Sequence, residues 1–346
     1  MPTIARAQTV PMNPALAKIV AAAKGEGKVS LHFNLEQTGG PPGAKVAQDG
    51  INRMFGTSLT VEWSPGPGFG PLAAEIYQNM QAGQSSATDI YEGAPAQIVP
   101  YLDRGLFRAV DFAALMPDRI TPEMVEADHR ALRFITLLPA ILYNVQGAPW
   151  VPKIDTLSDL LKPEYKGKFD TTTFLGGFDV LLTDEIWGPQ KTQDYVRKLS
   201  AQVAGLTDCS AFDRIASGEI PALAVDCVGA ADNTPKFRGR NVLATRIISD
   251  MAQRRYAYLM IPTNAPHPNA AVLYALYLLS AEGQKDLVWN YWGLDLTDFP
   301  DSRSRPKVLA LEGKGVKFVD VTISWWQGHP GIVKSLSDLI KILHEH

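Results

Sequence analysis

The sequence predicts an α/β protein built as two lobes, each a mixed, mainly parallel sheet flanked by helices. Three observations lead there. Strand, polar loop and helix recur three times within the first hundred residues, a rhythm that gives a parallel sheet with helices on its faces. The chain has 346 residues, enough for two cores of ordinary size. Two extended apolar runs, "LRFITLLPAILYN" (132–144) and "RRYAYLMIP" (254–262), read as segments that carry the chain from one lobe to the other and back.

The elements follow from periodicity. Leu16 to Lys24 reads as a helix that stops at Gly25, and Val29 to Phe33 alternates as a strand before the polar run Asn34 to Thr38. Val46, Ala47, Ile51, Met54 and Phe55 stand at helical spacing, with Gly56 as the stop; Leu59, Val61 and Trp63 then alternate into the loop "SPGPGFG" (64–70). Leu72, Ile76 and Met80 restart a helix, and "TDIYEG" gives a short strand with a turn at Glu92-Gly93. In a parallel sheet ligands collect outside the carboxyl ends of the strands, so Asn34–Thr38, Ser64–Gly70 and Glu92-Gly93 are expected to share one edge. The second lobe is expected to hold helices at Leu157–Leu161, after Gly177 and at Asp194–Ala201, with strands near Phe169 and at Ala222–Val225. Helices at Ala270–Ser280 and Ala281–Trp292 return to the first lobe. The expected division is 1–135 and 258–300 for lobe one, 136–257 for an inserted lobe two, and 301–346 for a C-terminal segment packing on the lobes.

Composition excludes several classes of function. Hydrophobic residues make up 46% and charged residues 20%, a globular balance, and no stretch approaches the roughly 20 apolar residues of a membrane-spanning helix. Net charge is −3 and Lys and Arg are scattered, so nucleic acid is not an expected partner. Ala5-Arg6-Ala7 before Gln8 has the small-x-small pattern of a secretory cleavage site, which points to an exported protein whose signal peptide is removed or truncated, with the periplasm as the location that the family resemblance below implies. The alternative is an ordinary N-terminus. The two cysteines, Cys209 and Cys227, are either a disulfide or two buried thiols.

Motifs of catalysis do not occur: there is no GxSxG, HExxH, P-loop or EF-hand pattern, and the cysteines lack zinc spacing. No catalytic residue, metal ligand or cofactor is expected. His32 reads as a structural histidine, and His344 and His346 as a solvated tail. In "DLTDFPDSR" the carboxylates Asp295, Asp298 and Asp301 read as a solvated loop neutralised by Arg303 and Arg305. Of Trp325-Trp326, one ring is expected beneath a C-terminal helix, Ile332–Leu343. Two stretches offer backbone donors ahead of expected helices: "GPGFG" (66–70) and "TTTFLGGFD" (171–179), the latter with the hydroxyls of Thr171 to Thr173. Such groups hold and orient a ligand without breaking its bonds.

"TLSDLLKPEYKGKF" (156–169) resembles a segment of the extracellular solute-binding proteins of ABC importers, the family of ferric-ion, polyamine, thiamine and phosphonate binders. "GKVSLHFN", "YLDRGLF", "ILYN", "IASGEIPALAV" and "APHPNAAVLYALYLLSAEGQKDLV" agree in order, so the resemblance covers most of residues 27–293. It implies the two-lobed type II periplasmic binding protein fold, a ligand trapped by hinge closure, a permease of the inner membrane as partner, and a monomer. The candidate ligand-binding residues are then Asn34, Glu36, Gln37, Thr38, Ser64, Gly66, Gly68 and Glu92 from lobe one. Lobe two and the return segment supply Thr171, Thr172, Thr173, Gly176, Gly177, Asp226, Cys227, Arg254 and Tyr256.

The ligand class is read by elimination within the family. Where ferric binders carry adjacent tyrosines this chain reads Asp226-Cys227-Val228-Gly229, and the loop after the first strand lacks their histidine. A polyamine could use Glu36, Glu92, Asp179 and Asp226 with Trp63 or Tyr256 stacking. An anion could use Ser64, Thr171–Thr173 and Arg254 or Arg255. The expectation adopted is a small organic anion, a phosphonate or carboxylate. Rival readings are a sensor built on the same clamp and an α/β enzyme using Asp226 and Cys227.

Overall fold

The computed structural model describes residues 10–33 and 39–345. The chain divides into two compact units: Met1–Thr136 with Tyr256–Arg305, and Leu137–Arg255 with Pro306–His346.

In unit 1, strands β1 (Lys28–Phe33) and β2 (Thr60–Pro65) pair in parallel, Lys28 opposite Thr60 and Phe33 opposite Pro65. A second sheet holds β3 (Tyr91–Gly93), β4 (Val125–Glu126), β5 (Ala131–Leu137) and the later part of β11 (Gln253–Met260), which pairs antiparallel with β3. The helix Pro268–Leu279 is apolar on every face, as a helix surrounded by protein must be, and its residues Ala270 to Leu279 are all buried. It packs on the helices Pro14–Glu26 and Gly40–Phe55. The second contact is close enough that a Cβ on Gly50 would lie 2.2 Å from the Tyr277 ring. Two carboxylates fasten the start of this helix, Glu26 to the end of the helix Pro14–Glu26 and Asp89 to β1. Glu26 accepts the amides of Asn269 and Ala270 at 3.1 and 2.7 Å, and the fully buried Asp89 accepts from the Ser30 and His267 amides at 2.6 and 2.7 Å.

Unit 2 carries a five-stranded sheet in the order β10 (Leu243–Arg246), β6 (Ala140–Asn144), β9 (Ala222–Asp226), β7 (Asp170–Thr172), β8 (Leu206–Thr207). β7 is parallel to both β8 and β9, while β6 and β10 run against them. The first residues of β11, Gln253–Arg255, pair in parallel with β12 (Val319–Val321) of the C-terminal segment. That segment, hard to place from sequence, forms the helices Arg305–Glu312, Ile323–Gly328 and Ile332–His344.

Several expectations are corrected. The helix after Gly177 is a single 3-10 turn, Val180–Leu182, and the α-helix starts later, at Gly188 with Pro189 in its first turn. Asp179 explains the shortfall, because its carboxylate is buried and held by Arg255 instead of capping a helix. Leu157–Leu161 is 3-10, and Ala281–Trp292 contains a π-helical stretch, Gln284–Val288. Asp295 is not solvated: it is buried and accepts from Ser302 Oγ and the amides of Arg303 and Ser304. His344 is not a free tail, since its Nε2 lies 3.1 Å from the Thr173 carbonyl; His346 lies outside the described residues. Of the tryptophan pair, Trp326 is the buried ring, and Trp325 lies 4.5 Å from the His329 ring.

Candidate functional site

Because β7, β8 and β9 are parallel, their carboxyl ends meet on one edge of unit 2. β8 and β9 flank β7, so at the ladder spacing of about 4.8 Å they are about 10 Å apart. Past the strand ends the loops converge: Cys209 and Cys227 form a disulfide with their Cα atoms 5.7 Å apart. The disulfide therefore spans the end of β7 and sits against the loop Thr173–Gly177. A Cβ on Gly176 would lie 3.0 Å from Cys227 Sγ and 3.3 Å from Cε2 of Phe174, so glycine is the residue that lets the loop approach the bridge.

Two non-glycine residues here have left-handed backbones, Leu175 at φ 51° and the β-branched Val225 at φ 57°. Each such position costs of the order of 1–3 kcal/mol and persists only where its surroundings enforce it. The enforcing contacts are visible. Thr172 Oγ1 accepts the Gly176 amide at 2.8 Å, and Thr171 Oγ1 donates to the Ala224 carbonyl at 3.3 Å. Asp226 Oδ1 accepts the amides of Ala140 at 3.2 Å and Gly229 at 2.9 Å. Gly229 cannot carry a Cβ, which would fall 1.7 Å from the Leu138 carbonyl.

Asp226 is fully buried, and burial pushes its carboxyl up to about 7 against the opposing pull of the two amides and the Lys307 ammonium. Burial also pushes Asp232 up and Lys307 down; Lys307 donates to Thr245 Oγ1 at 2.7 Å, and Asp232 Oδ1 is buried without a hydrogen-bond partner. With its sulfur in the bridge, Cys227 presents no thiolate, so the nucleophile of the enzyme reading is not available in this state.

Both candidate arginines are engaged. Arg254 holds Asp320 through Nε and Nη2 at 2.7 and 2.8 Å and reaches Glu312 at 3.4 Å. Arg255 holds Asp179 through both Nη atoms, and Gln253 Nε2 donates to the Gly177 carbonyl at 3.2 Å, so the first residues of β11 fix the turn after the threonines.

In unit 1, β1 and β2 end together, but Asn34, Glu36, Gln37 and Thr38 lie outside the described residues. Ser64 is exposed, its Oγ 3.0 Å from His32 Nδ1. The Gly66 amide donates to the Phe33 carbonyl at 2.9 Å, and a Cβ there would lie 2.5 Å from the His32 carbonyl oxygen. Gly68 is exposed and opens the helix Phe69–Gln81 without a side-chain cap. Glu92 is buried and Oε1 has no partner; burial drives its carboxyl well up. Tyr256 is also buried, beneath the Arg133 guanidinium at 4.3 Å from the ring centre.

The structure thus groups Thr173, Gly176, Gly177 and Cys227 at the surface of one edge, with Thr171, Thr172 and Asp226 buried behind them. It sets Arg254 and Tyr256 into internal contacts. Phe174, 42% exposed in the middle of "TTTFLGGFD", is not among the residues the sequence singles out, since hydroxyls and glycines surround it there. A large apolar residue inside a Thr/Gly loop is the signal that could have found it.

Comparison with solved structures decides the fold. The substrate-binding protein of an ABC transporter from Agrobacterium tumefaciens superposes with a TM-score of 0.70 at 14% identity, over 92% of this chain and 94% of that one. This chain has the fold of the periplasmic binding proteins. The periplasmic binding protein AfuA from Actinobacillus pleuropneumoniae, solved with fructose-6-phosphate, matches at 0.69 and 15% identity over 92% and 99%. The spermidine/putrescine ABC transporter substrate-binding protein PotD from Streptococcus pneumoniae matches at 0.64 and 14% over 90% and 99%. No family profile matches the chain and no curated protein matches it by sequence. The type II periplasmic binding protein fold is thus shared with chains only 14–15% identical to this one.

Proposed function

We propose that this chain is a periplasmic solute-binding protein that captures a small organic molecule and hands it, unchanged, to an ABC permease of the inner membrane. The observation that carries the reading is the strand-end edge of unit 2, a strained, disulfide-clasped loop cluster that offers backbone, ring and sulfur and no activated nucleophile. Its setting in a fold shared with binding proteins for ABC transporters supports the same reading. Among the described residues no helix is long and apolar enough to cross a membrane.

The ligand we propose is a small organic acid, a carboxylate or phosphonate. Arg254 and Arg255 do not serve it, being held by Asp320, Glu312 and Asp179. Its support lies in unit 1. There the exposed Gly68 and Gly70 open a helix of 13 residues in which the amides of Phe69 and Gly70 precede the first helical acceptor, Pro71 carries no N–H and the Leu72 amide donates to the Gly68 carbonyl; the two leading amides suit an oxyanion. Glu92 favours a second reading, an amine, since its buried Oε1 lacks a donor. A thermal-shift screen of carboxylates, phosphonates and amines separates them, because a bound solute raises the melting temperature with its saturation. Stabilisation by acids supports the first reading; stabilisation by amines alone replaces it with the second.

A further inference from the structure

The exposed face of the loop after β7 is less polar than its sequence. The hydroxyls of Thr171 and Thr172 are turned inward onto backbone groups and neither residue has any exposure. What remains outside is the ring of Phe174, the half-buried Thr173, the backbone of Gly176 and Gly177, and the disulfide at Cys227. Ring and sulfur converge on Gly176, both within 3.3 Å of the point a Cβ would occupy. His344 Nε2 braces the same loop from the C-terminal helix at the Thr173 carbonyl. Covering a phenylalanine ring is favourable, and this ring, 42% exposed, stands beside the disulfide at the edge where three parallel strands end. Polarisable sulfur beside an aromatic ring suits an apolar, flat partner, and ligand sites are lined mainly by such groups, with a few polar ones fixing orientation.

We propose that Phe174 and the Cys209–Cys227 bridge form the specificity platform for the non-polar body of the solute, so that the cargo is an organic molecule with a flat hydrocarbon part and not a bare ion. The inference rests on the solute-capture reading and deepens it: the head group sets orientation, and the ring selects what the head group carries.

Matched pairs test it: phenylacetate against acetate, phenylphosphonate against methylphosphonate, and phenethylamine against ethylamine, titrated calorimetrically into wild type, Phe174→Ala and Phe174→Trp. In at least one pair the phenyl member is expected to bind wild type tenfold or more tightly than its partner. Phe174→Ala is expected to remove that preference, and Phe174→Trp to retain it within about threefold, as ring stacking requires. Melting curves without solute establish that both variants are folded. Equal affinity within every pair, or a preference that survives in Phe174→Ala, overturns the platform while leaving capture intact. A wild-type chain that no solute binds overturns the capture reading and the platform with it.

Discussion

Asp179 accepts two parallel hydrogen bonds from Arg255, at 2.8 Å from Nη1 and 2.7 Å from Nη2, with the carboxylate 2% exposed and the guanidinium side chain 19% exposed. The pair locks the turn after Gly177 to the start of β11. Removing the arginine alone leaves a buried, uncompensated carboxylate. Arg255→Met is expected to destabilise the protein by about 3 kcal/mol, and Asp179→Asn with Arg255→Met to recover part of that loss. Urea unfolding of the single and double variants measures both.

Asp226 gives the stability a pH dependence of defined sign. Its carboxyl is pushed up to about 7 in the folded chain, whereas an unfolded aspartate titrates near 3.9. Between those values the folded state binds a proton that the unfolded state does not. The contribution of this group is therefore greatest at low pH and is lost as pH rises toward 7, at up to about 1.4 kcal/mol per pH unit. Asp226→Asn keeps an acceptor for the amides of Ala140 and Gly229 and cannot ionise. Its melting temperature relative to wild type is expected to rise between pH 5 and pH 8; a difference that stays constant would show that Asp226 does not titrate in this window.

The bridge between Cys209 and Cys227 closes a separation of 18 residues, so cutting it is expected to cost about 3 kcal/mol by the loop-entropy relation. Denaturation with and without reductant, and of the Cys209→Ser/Cys227→Ser variant, checks the value. Because the bridge also packs on Gly176, affinity for any solute that stabilises the oxidised protein is expected to fall on reduction.

Gly66 is held against backbone, which cannot move aside as a flexible side chain could. A Cβ placed 2.5 Å from the His32 carbonyl oxygen forces β1 and β2 apart at their carboxyl ends. Gly66→Ala is expected to lose about 1–3 kcal/mol of stability, read from thermal or chemical unfolding, whereas Gly25→Ala, inside the helix Pro14–Glu26 where a Cβ meets nothing within 4 Å, is expected to gain up to about 1 kcal/mol.

The fold was legible where one period dominates. The alternation at Val29–Phe33 and the helical spacing from Val46 to Phe55 predict β1 and the helix Gly40–Phe55, and the helix expected at Ala270–Ser280 is present as Pro268–Leu279. The segment after Gly177 departs from its expected helix because Arg255, 76 residues beyond Asp179, draws that aspartate into a buried pair. Asp295 departs from expectation for the same kind of reason: hydrogen bonds from Ser302, Arg303 and Ser304 stabilise a buried carboxylate in a segment whose composition suits a solvated loop. At the candidate site, sequence locates the loops but not which of their side chains face outward. Thr171 and Thr172 turn in and Phe174 turns out because β7 lies between two strands and under a disulfide, facts of pairing that no local pattern carries.

The central claim is that the chain holds a small molecule reversibly and returns it unaltered. The most direct measurement is to saturate the protein with the solute that stabilises it best, release that solute by denaturation, and determine its amount and identity by mass spectrometry. Close to one equivalent per chain, chemically identical to what was added, is the expected result. Recovery of a transformed product, or of no solute at all, would contradict the account.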